Sequence, residues 1–348
     1  MSIAISVIIP IHNCESELDR CLNSVLNQTF KMSFEVICIL DSSNSLTYEI
    51  VSKYQKEFTR KIRVLESTLQ DPGEVRNLGL DNANGDYIFF IDGDDFLEKD
   101  CLKTLYLKAI RTKTDIVIGN FYNYYPKSKR RKGSGFFKKL LKQRSYSAME
   151  IANKVVKDFR IRGFVWNKLF KKEMLDKNKV RFIPTKFAIE DRPFLLQACL
   201  CSNKVFLCKI KTYNYVQHDQ SFVKSTNKLS FIQKELNCDF ALKTILLHYN
   251  SFDEELFKSL LSLHLKGIRV TANKILKGND EKKTIKDQIL KQQLVISGKD
   301  LYVYGAPWEE TIQALNFKDL NYRKLPPSFQ IEDLTKILWK KFIGFYNN

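Results

Sequence analysis

Three short runs of branched and aromatic apolar residues limit most strongly what this chain can fold into. They occupy positions 5–11, 34–40 and 87–91, and polar residues follow each run at once. Continuous apolar runs of this length predict β-strands that are buried on both faces. Between the first two runs, apolar residues such as Leu18 and Leu22 recur at helical spacing. The alternation predicts an α/β fold with a mostly parallel sheet flanked by helices.

The polar residues that end these strands are candidates for a binding site. They are His12 and Asn13 after the first strand, Asp41 after the second, and Asp92, Gly93, Asp94 and Asp95 after the third. In open parallel sheets, ligands bind beyond the carboxyl ends of the strands. The sequence therefore predicts that these three segments meet in one cleft.

The acidic segment after the third strand predicts a metal site. In an extended backbone, Asp92 and Asp94 lie on the same face, where two carboxylates repel each other. A divalent cation relieves this repulsion, and oxygen ligands favour Mg²⁺ or Mn²⁺. Gly93 between them allows a ligand to approach the backbone closely. The alternative is a solvated acidic turn that holds no ion.

Charge is distributed unevenly along the 348 residues. The formal net charge is +18, but the first 120 residues carry −5. Nine basic residues and no acidic ones fall within positions 124–144, which reads as a basic loop. This balance predicts an anionic partner for the second part of the chain: nucleic acid, a membrane surface or a phosphorylated substrate.

The cysteines and the apolar segments bear on the cellular compartment. Eight cysteines occur without a CxxC pair, and most have apolar neighbours, which predicts buried, reduced thiols. No apolar run reaches the ~18–20 residues that a membrane-spanning helix needs. The first residues also lack the basic start of a signal peptide. We therefore expect a cytoplasmic protein.

Four ordered motifs resemble those of glycosyltransferase family 2, which has the GT-A fold. They are SVIIPIHN at 6–13, LNSVLNQT at 22–29, GEVRNLGL at 73–80 and FFIDGDD at 89–95. Later matches are VWNKLF at 165–170, IEDRPF at 189–194, and Tyr213, Tyr215 and Ser221. The resemblance covers residues 3–225 and implies a bacterial enzyme of surface-polysaccharide type. It implies inverting transfer of a hexosyl or N-acetylhexosaminyl group from a nucleotide diphosphate sugar, with UDP expected, to an acceptor hydroxyl.

The resemblance also implies a donor pocket. Pro10, His12, Asn13 and Asp41 match positions that line the nucleotide base, although the family usually has tyrosine where this chain has His12. Arg76 matches a basic residue beside the diphosphate, whose oxygens suit a guanidinium. Alternatively, His12 is an ordinary turn residue and Arg76 belongs to a surface ion pair.

The metal and phosphate contacts follow from the same matches. Asp92 corresponds to a contact to the ribose or the metal, and Asp94 to the main metal ligand, with Asp95 assisting. His218 corresponds to a residue that completes the metal shell or touches the diphosphate, unless it is an unbound surface histidine. Lys168 corresponds to a neighbour of the phosphates.

Asp191 and Glu190 match the acidic pair of the family. Single displacement needs a base that accepts the proton of the acceptor hydroxyl. The resemblance assigns this role to Asp191, and it assigns orientation or acceptor binding to Glu190. The alternative is an acid pair that merely favours a helix N-terminus.

The domain prediction places a GT-A domain at 1–225, with a nucleotide-sugar half to about 120 and an acceptor half beyond it. A mainly helical region, 226–348, is expected to follow. It is predicted to bind acceptor, membrane or another subunit, and in the last case the protein would be a homo-oligomer. Its tail, 334–345, has the composition of an interfacial amphipathic helix; the alternative is a tail helix that packs on the domain. With the basic loop, it predicts peripheral attachment to the inner face of the cytoplasmic membrane and a lipid-linked acceptor.

Two other functions compete with this interpretation. The positive charge suits a nucleic-acid-binding protein, but no helix-turn-helix, RNP-type or zinc-finger pattern occurs. A sugar nucleotidyltransferase also uses paired acids on an α/β sheet, but it carries a glycine-rich basic signature near its start. Positions 10–13 do not have that signature, and we expect no nucleic-acid partner.

Overall fold

A computed structural model describes residues 2–134, 142–157, 164–183 and 190–217. They belong to the first of two compact units, which comprises Met1–Lys186 and Glu190–Thr226. The predicted helical region 226–348 and its amphipathic tail lie outside the described residues.

Four parallel strands form one half of the central sheet, and they confirm the strands expected from the apolar runs. Their order is third, second, first and fourth: β1 (Ile5–Ile11), β2 (Phe34–Asp41), β3 (Ile62–Ser67) and β4 (Tyr87–Phe90). The register pairs Ile5 of β1 with Phe34 on one side and Tyr87 on the other. The carboxyl ends of all four strands therefore lie at the same edge of the sheet.

The other half of the sheet mixes strand directions. Its members are β5 (Phe96–Leu97), β6 (Ile116–Tyr125), β7 (Arg130–Gly133), β8 (Ser145–Ser147), β9 (Lys168–Lys171) and β10 (Lys204–Val216). The sheet continues from β4 through β9, β6, β10 and β5. β9 is antiparallel to β4 and β6, whereas β10 is parallel to β6. The fold is thus the predicted α/β class with a mostly parallel central sheet.

Helices cover the sheet. They are α1 (Glu15–Leu26), α2 (Ser45–Glu57), α3 (Pro72–Asp81), α4 (Cys101–Thr112), α5 (Ala148–Lys157), α6 (Lys172–Lys177) and α7 (Asp191–Cys201). Val7 and Ile9 share a buried apolar cluster with Leu18 of α1. Ile8 instead packs against α3. A Cβ added at Gly79 of α3 would lie 2.5 Å from Cγ2 of Ile8. Because successive side chains of a strand point to opposite faces, both faces of β1 are buried, which explains its continuous apolar run.

The cysteine prediction is confirmed within the described residues. Six cysteines are buried and Cys201 is partly buried, and all seven are free thiols. Cys238 lies outside the described residues. The described residues also contain no helix with the length and apolar character that a membrane crossing requires.

The basic segment 124–144 is not simply the loop that the sequence suggested. Its first part completes β6 and then returns as β7, which pairs antiparallel with β6. Residues 135–141, including Phe136, Phe137, Leu140 and Leu141, lie outside the described residues. The physical reason is that aromatic residues on β6 pair with the arginines of β7, and such pairs favour a β-ribbon.

Candidate active site

The acidic segment forms a turn beyond the end of β4. The backbone N–H of Asp95 donates to the carbonyl oxygen of Asp92 at 3.0 Å. This turn replaces the extended geometry that the sequence analysis assumed, but it still gathers the carboxylates. One oxygen from each of Asp92, Asp94 and Asp95 lies within 4.8 Å of the others. Because Asp92 and Asp94 are partly exposed, a cation with oxygen preference fits this set of donors.

Asp95 supports the turn from its buried side. Its Oδ2 accepts a hydrogen bond from the Tyr213 hydroxyl at 2.6 Å, and its Oδ1 accepts one from the Val216 N–H at 2.8 Å. Burial, followed by the charges of Asp94 and Asp92, raises the pKa of Asp95 well above its ordinary value. Both oxygens are thus occupied within the protein, and Asp92 and Asp94 are the accessible candidates for metal binding.

Gly93 has a packing role in this turn. A Cβ at this position would lie 2.7 Å from Sγ of Cys14 and 3.4 Å from the carbonyl oxygen of Pro10. The thiol of Cys14, the cap residue of α1, therefore occupies the space that a side chain would need. The glycine that was predicted to allow ligand approach is thus also favoured by the close contact of the turn with Cys14.

Arg76 links the acidic turn to the acid pair. It lies on α3, whose first turn is capped by Asp71. Its Nη2 lies 2.9 Å from Oδ1 of Asp92, and its Nη1 lies 2.8 Å from Oε1 of Glu190 and 3.8 Å from Oδ1 of Asp191. The residue is buried, with 6% exposure, so the alternative of a surface ion pair is wrong. Although burial opposes its charge, the three acids raise the pKa of Arg76.

The acid pair begins helix α7. Asp191 is its first residue, and Glu190 is the preceding cap residue. Burial raises the pKa of Asp191 to about 7, together with the charges of Glu190 and Asp92 and against the opposing effects of Arg76 and Lys168. Within the described part of the chain, Oδ1 of Asp191 is buried and has no hydrogen-bond partner. A carboxylate with this pKa exchanges a proton near neutral pH, as a general base must.

Lys168 begins β9 and interacts electrostatically with Asp191. It is 3% exposed, and its Nζ donates to the carbonyl oxygen of Phe164. Burial lowers the pKa of Lys168 to about 8, although Asp191 opposes the shift. Its expected contact with phosphate stays a prediction.

The base-pocket residues meet at the ends of β1 and β2, as the sequence predicts. The Nδ1 of His12 donates to the carbonyl oxygen of Asp41 at 2.8 Å, and His12 itself is exposed. Asp41 is buried, and its Oδ1 accepts hydrogen bonds from Ser67 and from the Gln70 backbone. Pro10 is partly exposed and Asn13 is exposed, with a left-handed φ of 49°. Their roles in nucleotide binding stay predictions.

Sequence reasoning missed Arg20 on α1. Its Nη2 donates to the carbonyl oxygen of Asp94 at 3.1 Å, and its guanidinium lies over the ring of Phe96 at 4.7 Å. No motif marks this residue, because its contacts are made across 74 positions. The expected metal ligand His218 lies outside the described residues.

Trp166 is a core residue. It is 2% exposed, and it stacks on Tyr213 and Tyr215 with ring centroids 4.7 and 5.0 Å away. Tyr213 also donates a hydrogen bond to Asp95, so Trp166 supports the acidic turn through the side chain of Tyr213.

Comparisons with known proteins agree with this geometry. The sequence model described as Glycosyl transferase family 2 matches residues 6–178. The chain is 30% identical over 262 residues to a cholesterol galactosyltransferase of Borreliella burgdorferi, which covers 72% of this chain and 69% of that protein. It is 31% identical over 215 residues to a poly(ribitol-phosphate) beta-glucosyltransferase of Bacillus spizizenii, covering 61% of this chain.

The coverage of some relatives is partial. The match spans 32% of the Bacillus spizizenii protein and 30% of glycosyltransferase GlyA of Streptococcus pneumoniae, so this chain spans about a third of the length of these two relatives. Among solved structures, S. aureus TarS 1-349 in complex with UDP-GlcNAc superposes with a TM-score of 0.67 at 22% identity. That likeness covers 84% of this chain and 81% of TarS 1-349. At this identity it concerns the fold alone.

Proposed function

The chain belongs to glycosyltransferase family 2, and from this premise we propose that it transfers a sugar from a nucleotide diphosphate donor to an acceptor hydroxyl with inversion. One observation carries the proposal. Arg76 joins Asp92 of the acidic turn to Glu190, next to Asp191, within hydrogen-bond distance on both sides. The candidate metal site and the candidate base thus lie on opposite sides of one guanidinium.

The donor half of the proposal rests on the acidic turn. Asp94 and Asp92 would hold Mn²⁺ or Mg²⁺, and His218 is proposed to complete the shell. The cation supplies charge neutralisation for the departing diphosphate when it is bound. Asp95 keeps the turn in shape through Tyr213 and Val216.

The acceptor half rests on Asp191. Its carboxylate takes the proton of the attacking hydroxyl, and a pKa of about 7 suits this role near neutral pH. Glu190, held by Arg76 at 2.8 Å, orients the acceptor. Arg76 keeps a positive charge beside Asp191 and thereby favours its ionised form.

The proposed donor is a UDP-sugar, bound with its base among Pro10, His12, Asn13 and Asp41. TarS, which has the same fold, was crystallised with UDP-GlcNAc. We propose an acceptor that belongs to a surface polysaccharide, because the Bacillus spizizenii relative is named a poly(ribitol-phosphate) beta-glucosyltransferase. The sugar is proposed to be a hexose or an N-acetylhexosamine.

We also propose that the protein acts at the inner face of the cytoplasmic membrane on a lipid-linked acceptor. The amphipathic tail 334–345 is the segment proposed to contact the membrane. The remainder of 226–348 is proposed to bind acceptor or a second copy of the chain. Fractionation at low and high salt, with and without residues 334–348, tests the membrane contact, and full solubility at low salt would refute it.

The central test is donor hydrolysis by the full chain. A panel of UDP-, GDP- and TDP-sugars is incubated with Mn²⁺ or with EDTA, and the release of nucleoside diphosphate is measured. We expect slow, Mn²⁺-dependent release from one UDP-sugar and its loss in Asp94→Asn. Release that is equal with Mn²⁺ and EDTA would refute metal dependence, and no release or binding across the panel would refute the function.

A further inference from the structure

The hairpin formed by β6 and β7 carries an exposed basic surface. Its tip and return strand contain Lys129, Arg130, Arg131 and Lys132, and all four are exposed. Successive side chains on β7 point to opposite faces of the ribbon, so Arg130 and Lys132 share one face while Arg131 lies on the other. We refer to Lys129, Arg130 and Lys132 as the basic ribbon.

Arg131 anchors the hairpin to the segment that follows the acidic turn. Its Nη1 donates to Oε1 of Glu98 and, at 3.3 Å, to Oδ1 of Asn214. Glu98 comes three positions after Asp95, and Asn214 directly follows Tyr213. The ion pair of Arg131 with Glu98 therefore fixes the hairpin beside the site.

A second set of contacts ties the base of the hairpin to the acidic turn. Tyr124 packs edge-on against Phe96, with ring centroids 5.1 Å apart. The guanidinium of Arg20 lies over both rings and also binds the carbonyl oxygen of Asp94. In the parallel register, Tyr124 is the partner of Val216, whose N–H binds Asp95. Residues 126–129 thus project past the sheet edge at which the acidic turn lies.

Among the residues that the structure describes, the basic ribbon has no counterion. Within the four described ranges, Lys129, Arg130 and Lys132 form no ion pair, in contrast to Arg131 with Glu98. Three unneutralised cations on an exposed β-ribbon create a local positive potential, next to a turn of three acids. An uncharged acceptor would gain nothing from this arrangement, whereas an anionic one would be attracted and held with its reacting end near the acids.

We propose that the basic ribbon binds the acceptor and that the acceptor is an anionic, phosphate-bearing polymer. This inference rests on the proposed function and specifies its acceptor class. An anionic membrane leaflet offers similar charge, but the continuity of the hairpin with the acidic turn favours a ligand that must reach the reacting groups. The segment that we propose to contact the membrane is the tail, 334–345.

The test uses fluorescently labelled linear inorganic polyphosphate and the full chain. Fluorescence anisotropy is recorded over a series of NaCl concentrations with EDTA present, so that binding through a metal does not contribute. The ribbon variant is Lys129→Gln, Arg130→Gln and Lys132→Gln. The matched control is Lys31→Gln, Lys56→Gln and Arg60→Gln, which removes the same charge from exposed positions near the amino ends of β2 and β3.

We expect the ribbon variant to bind polyphosphate at least about tenfold more weakly at low salt. Its plot of log affinity against log salt should be shallower by about two to three units, because each phosphate contact contributes ~0.7–0.9. The control should stay within about twofold of the unmodified chain. Equal weakening in both variants would overturn the proposal, since net charge alone would then explain the binding.

Two further measurements separate the alternatives. Vesicles of phosphatidylglycerol and phosphatidylcholine replace the polyphosphate in a co-sedimentation assay. A ribbon variant that loses vesicle binding but keeps polyphosphate binding would overturn the proposal in favour of a membrane surface. Donor hydrolysis should be unchanged in both variants, and its absence in the unmodified chain would refute the proposed function, while anisotropy still decides whether the ribbon binds a polyanion.

Discussion

The hydroxyl of Tyr213 donates a 2.6 Å hydrogen bond to Oδ2 of Asp95, across 118 positions of the chain. Both residues are fully buried. Tyr213 belongs to β10, the last strand among the described residues, whereas Asp95 belongs to the turn after β4. The shape of the candidate metal site therefore depends on the packing of a strand that lies more than a hundred residues further along the chain.

Replacing Tyr213 by phenylalanine should weaken metal binding more than its small change in volume suggests. Oδ2 of Asp95 would stay buried without a hydrogen-bond donor. This should lower the free energy of unfolding by about 1–3 kcal/mol. Urea denaturation measures that loss, and calorimetric titration with Mn²⁺ and UDP should show at least about tenfold weaker binding. Tyr215→Phe is the control, because Tyr215 also stacks on Trp166 but the hydrogen bonds to Asp95 come from Tyr213 and Val216. Equal effects of the two variants would argue against the role of Tyr213.

Asp191→Asn should stop transfer and spare donor binding. The amide keeps the size of the side chain but cannot accept the proton of the acceptor, so kcat should fall by about 100-fold or more. The dissociation constant of the donor, measured by calorimetry, should change by less than about threefold. Glu190→Gln is the comparison, since Glu190 stands next in the chain and binds Arg76. Near-normal turnover by Asp191→Asn would show that the base is a different residue.

The pH dependence of transfer should report the ionisation of Asp191. The base is active when deprotonated and its pKa is about 7, so kcat should rise between about pH 5.5 and about pH 8. The positive charge of Lys168 lowers the pKa of Asp191, so Lys168→Met should move the midpoint of the profile to higher pH. Lys171→Met serves as the control, because Lys171 is partly exposed and pairs with Glu173. A profile that is flat over this range would contradict the assignment.

Arg76→Met should destabilise the fold severely. It removes a buried cation and leaves Asp92, Glu190 and Asp191 close together without it, and breaking a buried ion pair in this way costs about 3–5 kcal/mol. Urea denaturation at neutral pH measures the loss. Arg144→Met is the matched control, because the pair of Arg144 with Glu150 is exposed and should contribute up to about 1 kcal/mol. Similar losses in both variants would mean that Arg76 does not hold the site together.

The strands and the acidic motif could be predicted from sequence because local pattern decides them. The runs at β1 and β2 are mostly apolar because both of their faces are covered, as is typical of strands inside a parallel sheet. The motif order also predicted which strand ends meet, because parallel strands end at a common edge. The turn at Asp92–Asp95 was placed correctly, although its extended geometry was wrong.

The partners of Arg76, Asp95 and Arg20 could not be predicted in the same way. Each contact joins segments that are far apart in sequence, as Arg76 does with Glu190 over 114 positions. The hairpin at β7 was missed for a similar reason, because its lysines and arginines resemble a solvated loop until their pairing with β6 is known.

The sequence by itself determined the class of fold, the family and the inventory of acids, because apolar periodicity and motif order are properties of neighbouring residues. Only the tertiary structure decided what each acid does. Asp95 is enclosed by Tyr213 and Val216, Asp92 and Glu190 share Arg76, and burial brings the pKa of Asp191 to about 7. The physical reason is that burial and electrostatic coupling depend on distances in space, which the packing of remote strands and helices sets.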